Sequence, residues 1–208
     1  MRQFRWVRGV VVLGLAGALV GLVPDGVSAV PRKACRATAF VTNSGSDTVS
    51  TIDVKTRTKH PTDVSVGSFP WGVAVTPDGK TAFVANGVSG TVSTIDARTR
   101  TKHPADISVG SVPFLVAVTP NGKTAFVANN GSGTVSTIDV KTRTKYPNDI
   151  AVGSGTGGVA VTPDGKTAYV THGPAAVSTI DVKTRTKTPN DIAVGMQPGV
   201  VTVTPCRR

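Results

Sequence analysis

Residues 72–110 read GVAVTPDGKTAFVANGVSGTVSTIDARTRTKHPADISVG, and this stretch decides the fold. An apolar run, Gly72-Val73-Ala74-Val75, leads into Thr76-Pro77-Asp78-Gly79. Pro presets φ at one corner of that turn and Gly accepts a positive φ at another, so the spacing predicts a hairpin. Lys80 to Asn86 forms the second strand, and Gly87 to Gly90 is a loop. Thr91 to Thr99 is the third strand, with Val92, Thr94 and Asp96 alternating onto one face. A basic turn then leads to a short fourth strand, Asp106 to Gly110.

Working outward, the same pattern recurs. Phe83-Val84-Ala85-Asn86 is matched by Phe40-Val41-Thr42-Asn43, Phe126-Val127-Ala128-Asn129 and Tyr169-Val170-Thr171-His172, at a spacing of 43 residues. Thr-Ile-Asp recurs with its acid at Asp53, Asp96, Asp139 and Asp181, so one residue is deleted between His172 and Val177. Four short antiparallel strands per repeat is the pattern of a β-propeller blade. Composition agrees. All 12 acids are Asp, and Leu, Met and Gln nearly vanish after residue 25, leaving Val, Thr and Gly dominant. That usage argues against helical bundles and doubly wound α/β folds. A hydrophobic content of 39% supports a packed core.

The four motifs, each after a Thr-Pro-Asp-Gly-like turn and before Val-Ser-Thr-Ile-Asp, resemble the YVTN β-propeller repeat family over about residues 37–205. The resemblance implies a β-propeller and an extracytoplasmic setting, without implying one activity. Members of that family are usually seven-bladed, whereas this chain holds four repeats. The first repeat, from Thr38, lacks an inner strand, and Gly199–Thr204 supplies one without a partner. Pairing the two would remove exposed sheet edges. The expectation is therefore an all-β, four-bladed propeller closed by its terminal strands, a monomer, with an eight-bladed ring of two chains as the alternative.

Residues 1–29 read as a secretory signal peptide and residues 30–208 as the propeller. Arg2, Arg5 and Arg8 precede an apolar run, Gly9 to Val23, and Val27-Ser28-Ala29 offers a cleavage site. The run is short for a bilayer span, which needs about 20 residues, so no stable span is expected after cleavage. Loss of residues 1–29 leaves 20 cations against 11 anions. Cys35 and Cys206 align on the same turn position, the one hairpin where the chain is cut, and are expected to form a disulfide.

Chemistry is thinly signalled. His60 and His103 occupy turn positions that become Tyr146 and Thr188 in other repeats, so no catalytic residue is assigned. His172 replaces a repeated Asn and, with Trp71 and Phe114 at matching blade junctions, marks a candidate peptide- or glycan-binding surface on the loop face. Propeller hydrolases and lyases rely on Glu and His sets, and this chain has no Glu. Asp53, Asp96, Asp139 and Asp181 suit bonds within each blade better than one metal site, so neither metal nor cofactor is expected. Four basic turns stand out: Lys55, Arg57 and Lys59; Arg98, Arg100 and Lys102; Lys141, Arg143 and Lys145; and Lys183, Arg185 and Lys187. Lys80, Lys123 and Lys166 should share their face and extend a positive ring suited to nucleic acid or an anionic cell-wall polymer. The resulting expectation is a secreted or envelope-associated, non-catalytic binding module for a protein, glycan or polyanion. An extracytoplasmic hydrolase or lyase using the loop face is the rival.

Overall fold

A computed structural model describes residues 37–205. The signal segment, Cys35 and Cys206 lie outside the described residues, and the chain divides into two units after Cys35. The second unit is built from antiparallel sheets, one per repeat.

The first sheet holds β1 (Thr38–Asn43), β2 (Thr48–Asp53), β3 (Thr58–Lys59) and β4 (Val64–Ser65). The second holds β5 (Pro70–Val75), β6 (Thr81–Asn86), β7 (Thr91–Asp96), β8 (Thr101–Lys102) and β9 (Ile107–Ser108). The third holds β10 (Pro113–Val118), β11 (Thr124–Asn129), β12 (Thr134–Asp139), β13 (Thr144–Lys145) and β14 (Ile150–Ala151). The fourth holds β15 (Val159–Val161), β16 (Thr167–His172), β17 (Ala176–Asp181), β18 (Thr186–Lys187) and β19 (Ile192–Ala193).

The hairpin expected around Thr76–Gly79 is present. Val73 pairs with Val84 and Val75 with Ala82, and Gly79 takes φ +70°. The outer strand differs from expectation, because two separate pairs of residues, β8 and β9, both pair with β7. Pro104 lies between them and cannot donate to a ladder, so the strand breaks there. Pro61, Pro147 and Pro189 repeat the interruption.

The period-2 alternation of each second strand explains the core. On β6, Ala82 and Val84 pack against Val49 and Val64 of the first sheet. Phe83 and Ala85 point the other way, against Val116, Ala125 and Val127 of the third. A further cluster joins Phe126 and Ala128 to Val159, Ala168 and Val170 of the fourth sheet. Consecutive sheets are thus stacked face to face, each joined to the next by an apolar core.

Closure by pairing Gly199–Thr204 with β1 is not found among the described residues. Residues 198–205 form no ladder, and β15 makes no contact with β1 comparable in extent to those linking β1 to β5, β5 to β10 and β10 to β15. The segment is instead anchored at the fourth sheet. Thr171 Oγ1 donates to the Gly199 carbonyl at 2.6 Å, as Thr42 Oγ1 donates to the Trp71 carbonyl at 2.7 Å. Gly158 N–H also donates to Gly199 O at 3.1 Å. A Cβ on Gly158 would sit 2.7 Å from Val201 N, so this close approach requires glycine. The segment therefore stands where the inner strand of a following sheet would stand.

Candidate functional site

On the loop face, Trp71 is the second residue of β5, and Phe114 holds the equivalent position in β10. The Trp71 ring lies 5.0 Å from Phe114 and 5.3 Å from Phe69, the latter edge-on. The Phe69 backbone takes φ +58°, a conformation rare for a bulky residue that nothing in Phe69-Pro70-Trp71 signals. Asp47 Oδ1 of the first sheet holds it by accepting the Phe69 N–H at 2.8 Å, while Gly87 N–H donates to its carbonyl at 2.9 Å. Val112 and Gln197 share the positive φ. The strain thus belongs to the blade junction, and only the displayed side chains are peculiar to this one. Trp71 stays 44% exposed. Gly87 leaves it room, since a Cβ there would fall 2.7 Å from the indole. Val88, Ser89, Ser111 and Val112 complete a groove with no titratable lining residue. A second groove, along Gly131–Gly133 and Val152–Ser154, has no aromatic lining.

His172 does not join this surface, which corrects the sequence expectation. It is 5% exposed, and its Nε2 lies 3.0 Å from Ser178 Oγ. Ser178 Oγ donates to Asp191 at 2.7 Å, and Asp191 pairs with Lys187 at 2.9 Å. A Ser, a His and an Asp in contact suggest a hydrolytic triad, but the protons run the wrong way. A catalytic His accepts the Ser proton, whereas here Ser178 gives its proton to Asp191 and is left to accept from Nε2–H. The other repeats explain this. Asn86 Nδ2 donates to Ser93, which donates to Asp106, paired with Lys102. Asn129, Ser136, Asp149 and Lys145 repeat the arrangement. His172 stands in for the Asn donor of a structural relay.

The basic turns form as expected, with one correction. Lys59, Lys102, Lys145 and Lys187 are bound in ion pairs to Asp63, Asp106, Asp149 and Asp191 at 2.7–2.9 Å. They are part of the relays rather than of the turn tips. Lys55, Arg57, Arg98, Arg100, Lys141, Arg143, Lys183 and Arg185 lie on the turn tips, exposed or half-buried. The repeated aspartates shape these tips. Asp96 Oδ1 accepts the N–H groups of Arg98 and Thr99 at 2.9 and 2.7 Å, and Arg100 closes the turn at φ +60°. The Thr99 N–H is the largest cause holding the Asp96 carboxyl below its ordinary range. The Thr142 and Thr184 N–H groups do the same for Asp139 and Asp181. Two contacts link neighbouring turns. Ala97 N–H donates to the Lys80 carbonyl at 2.8 Å, bringing the two turn types together. The Arg185 guanidinium lies 3.9 Å over the Tyr146 ring of the preceding sheet. Lys80 itself pairs with Asp78 at 3.4 Å.

No helix among the described residues is long and apolar enough to cross a membrane. No curated protein matches the chain. Among solved structures, the hydrazine synthase of Kuenenia stuttgartiensis is similar at 29% identity and a TM-score of 0.70, over 78% of this chain and 47% of that one. The chain therefore spans about half the length of that relative. The family model described as "Lactonase, 7-bladed beta-propeller" matches residues 37–172, well over half of the sequence. On that match, and on stacked four- and five-stranded antiparallel sheets, the chain belongs to the lactonase, seven-bladed β-propeller family.

Proposed function

We propose that the chain is an extracytoplasmic, non-catalytic binding module, each sheet being one blade of a YVTN-type repeat, with its ligand site at Phe69, Trp71 and Phe114. The observation that carries this reading is the aromatic cluster left open to solvent on a junction whose backbone is held in place from two sheets. Exposed apolar area of this kind favours a ligand that can cover it. The uncharged lining and the Ser89 and Ser111 hydroxyls suit a neutral glycan, whose ring face stacks on an indole while its hydroxyls meet the rim. The family's description carries a lactonase activity; this reading does not transfer it, because the Ser178–His172–Asp191 contact found among the described residues serves the blade relay.

Trp71 is its own reporter, Trp6 being the other tryptophan. Titration of the mature protein with a panel of neutral oligosaccharides should quench or shift its emission, and Trp71→Ala, which leaves no tryptophan in the mature chain and is read by titration calorimetry, should weaken binding at least tenfold. Binding unchanged by Trp71→Ala and Phe114→Ala would exclude this surface. A second reading, polyanion binding by the basic tips, is supported by the Arg185–Tyr146 and Lys80–Ala97 contacts, each of which links two turns.

A further inference from the structure

Asp47 departs from the repeat. Asn43–Thr48 aligns with Asn86–Thr91 and Asn129–Thr134, which puts Asp47 in register with Gly90 and Gly133. All three take a left-handed backbone, at φ +55°, +65° and +64°. All three also make the same backbone contact, their carbonyls accepting the N–H groups of Val66, Val109 and Val152 at 3.0–3.1 Å. The turn thus needs only a backbone. Glycine meets that need without the steric penalty that an L side chain incurs at positive φ. A Cβ on Gly90 would meet nothing closer than the Gly110 carbonyl at 3.9 Å, so crowding is not what keeps that position bare.

The side chain that Asp47 adds reaches beyond its own sheet. Oδ1 accepts the Phe69 N–H at 2.8 Å and Oδ2 accepts the Ser68 hydroxyl at 3.3 Å. The second sheet holds the same two residues from its own side. Ser68 N–H donates to Ser89 Oγ at 2.7 Å, Val88 N–H to the Ser68 carbonyl at 3.2 Å and Gly87 N–H to the Phe69 carbonyl at 2.9 Å. A junction takes its shape without such a carboxylate, because Val112 reaches φ +51° where the aligned turn residue is Gly90. What sets the first junction apart is the side chain standing on it. Phe69 is 40% exposed, with its ring edge-on to Trp71.

On the ligand reading above, we propose that Asp47 is the positioning residue of the aromatic site. Its carboxylate fixes the Ser68–Phe69 peptide, and with it the angle at which the Phe69 ring meets Trp71. The groove wall is then formed before a ligand arrives, which lowers the ordering cost of binding. Backbone strain kept at a position where the other repeats avoid it is the mark of such a role. Asp47 acts through Phe69 and has no need to touch the ligand.

The test uses the mature protein. Asp47→Gly restores the residue of the second and third repeats, so the far-UV circular dichroism of the strands should be kept. The near-UV band that Trp71 gains from packing against Phe69 should fall, and in the mature chain no other tryptophan contributes to it. Asp47→Asn keeps an acceptor oxygen and tolerates positive φ, so it should retain the band. Binding of neutral gluco-, manno- and chito-oligosaccharides, read by calorimetry, should weaken about fivefold in Asp47→Gly, the cost of ordering one released side chain. It should recover in Asp47→Asn. Phe69→Ala removes the ring directly, and adding Asp47→Gly to it should weaken binding no further, because the two residues act as one unit. Additive losses, or a Trp71 band or an affinity that Asp47→Gly leaves unchanged, would overturn the proposal. Loss of the strand spectrum in Asp47→Gly would do so too, by making Asp47 a residue of the fold. If the unaltered protein binds none of the oligosaccharides, yet Asp47→Gly loses the band and Asp47→Asn keeps it, the positioning role stands and the glycan reading fails.

Discussion

At the level of single residues, Ser178 is the hinge of the fourth sheet's relay. It is fully buried and accepts from His172 while donating to Asp191. Ser178→Ala removes the only partner found for His172 Nε2 other than Asp191 at 3.7 Å. Leaving a buried polar group unpaired costs about 1–3 kcal/mol, so urea unfolding should show a loss of that order with an unchanged slope. His172→Asn should be milder, within about 1 kcal/mol, because Asn offers the same donor that Asn86 and Asn129 use. It does not restore the whole arrangement. Asn86 also donates to Thr91, and the matching residue in the fourth repeat is Ala176. If His172→Asn is the more damaging change, the relay is not what holds this histidine. The register of His172 with three Asn residues was legible, but its burial was not, because the ring could equally have been presented on the loop face. The αL backbone of Phe69 was not, since nothing local in Phe-Pro-Trp requires it.

Among the elements, the Asp-anchored turns respond to pH. Asp63, Asp78, Asp96, Asp139, Asp164, Asp181 and Asp191 all have carboxyls held below the ordinary range by hydrogen bonds and neighbouring cations. A group whose native pKa is depressed stabilises the fold above its unfolded value. That contribution is lost as pH falls through the native one. The urea midpoint should therefore hold steady from pH 7 to about 5, then drop as pH falls below about 4. Replacing Asp96, Asp139 and Asp181 together by Asn keeps a side-chain acceptor for the Thr N–H groups and should shrink the acid-induced drop. An equal drop in both proteins would mean that these turns contribute nothing to it. The hairpins were readable because Pro and Gly fix their corners whatever surrounds them. The split outer strands were half readable, since Pro104 marks the break but the pairing of both fragments with β7 depends on the sheet.

For the molecule as a whole, the repeats announced one sheet each, because every repeat carries its own strands and turns. Closure was not readable in the same way. It depends on how successive sheets pack across the three cores rather than on any local pattern. The basic face is also a property of the assembled stack, and it yields the last prediction. Lys102 and Lys145 look like ring members in the sequence, yet they are tied to Asp106 and Asp149. Arg98, Arg100, Arg143 and Arg185 carry the tips. Arg100, Arg143 and Arg185 sit at φ +56° to +60°, so Asn is the suitable replacement, being tolerant of that backbone. With Arg98→Ser added, the fourfold variant should bind duplex DNA or polyphosphate more weakly. Its affinity should also fall less steeply between about 50 and 200 mM salt, because fewer counterions are released. Lys102→Ser with Lys145→Ser should do the opposite, leaving the salt slope nearly unchanged while lowering the urea midpoint through loss of two relay pairs. Binding that ignores salt, or that is lost equally in both variants, would show that the tips are a solvated surface with no anionic partner.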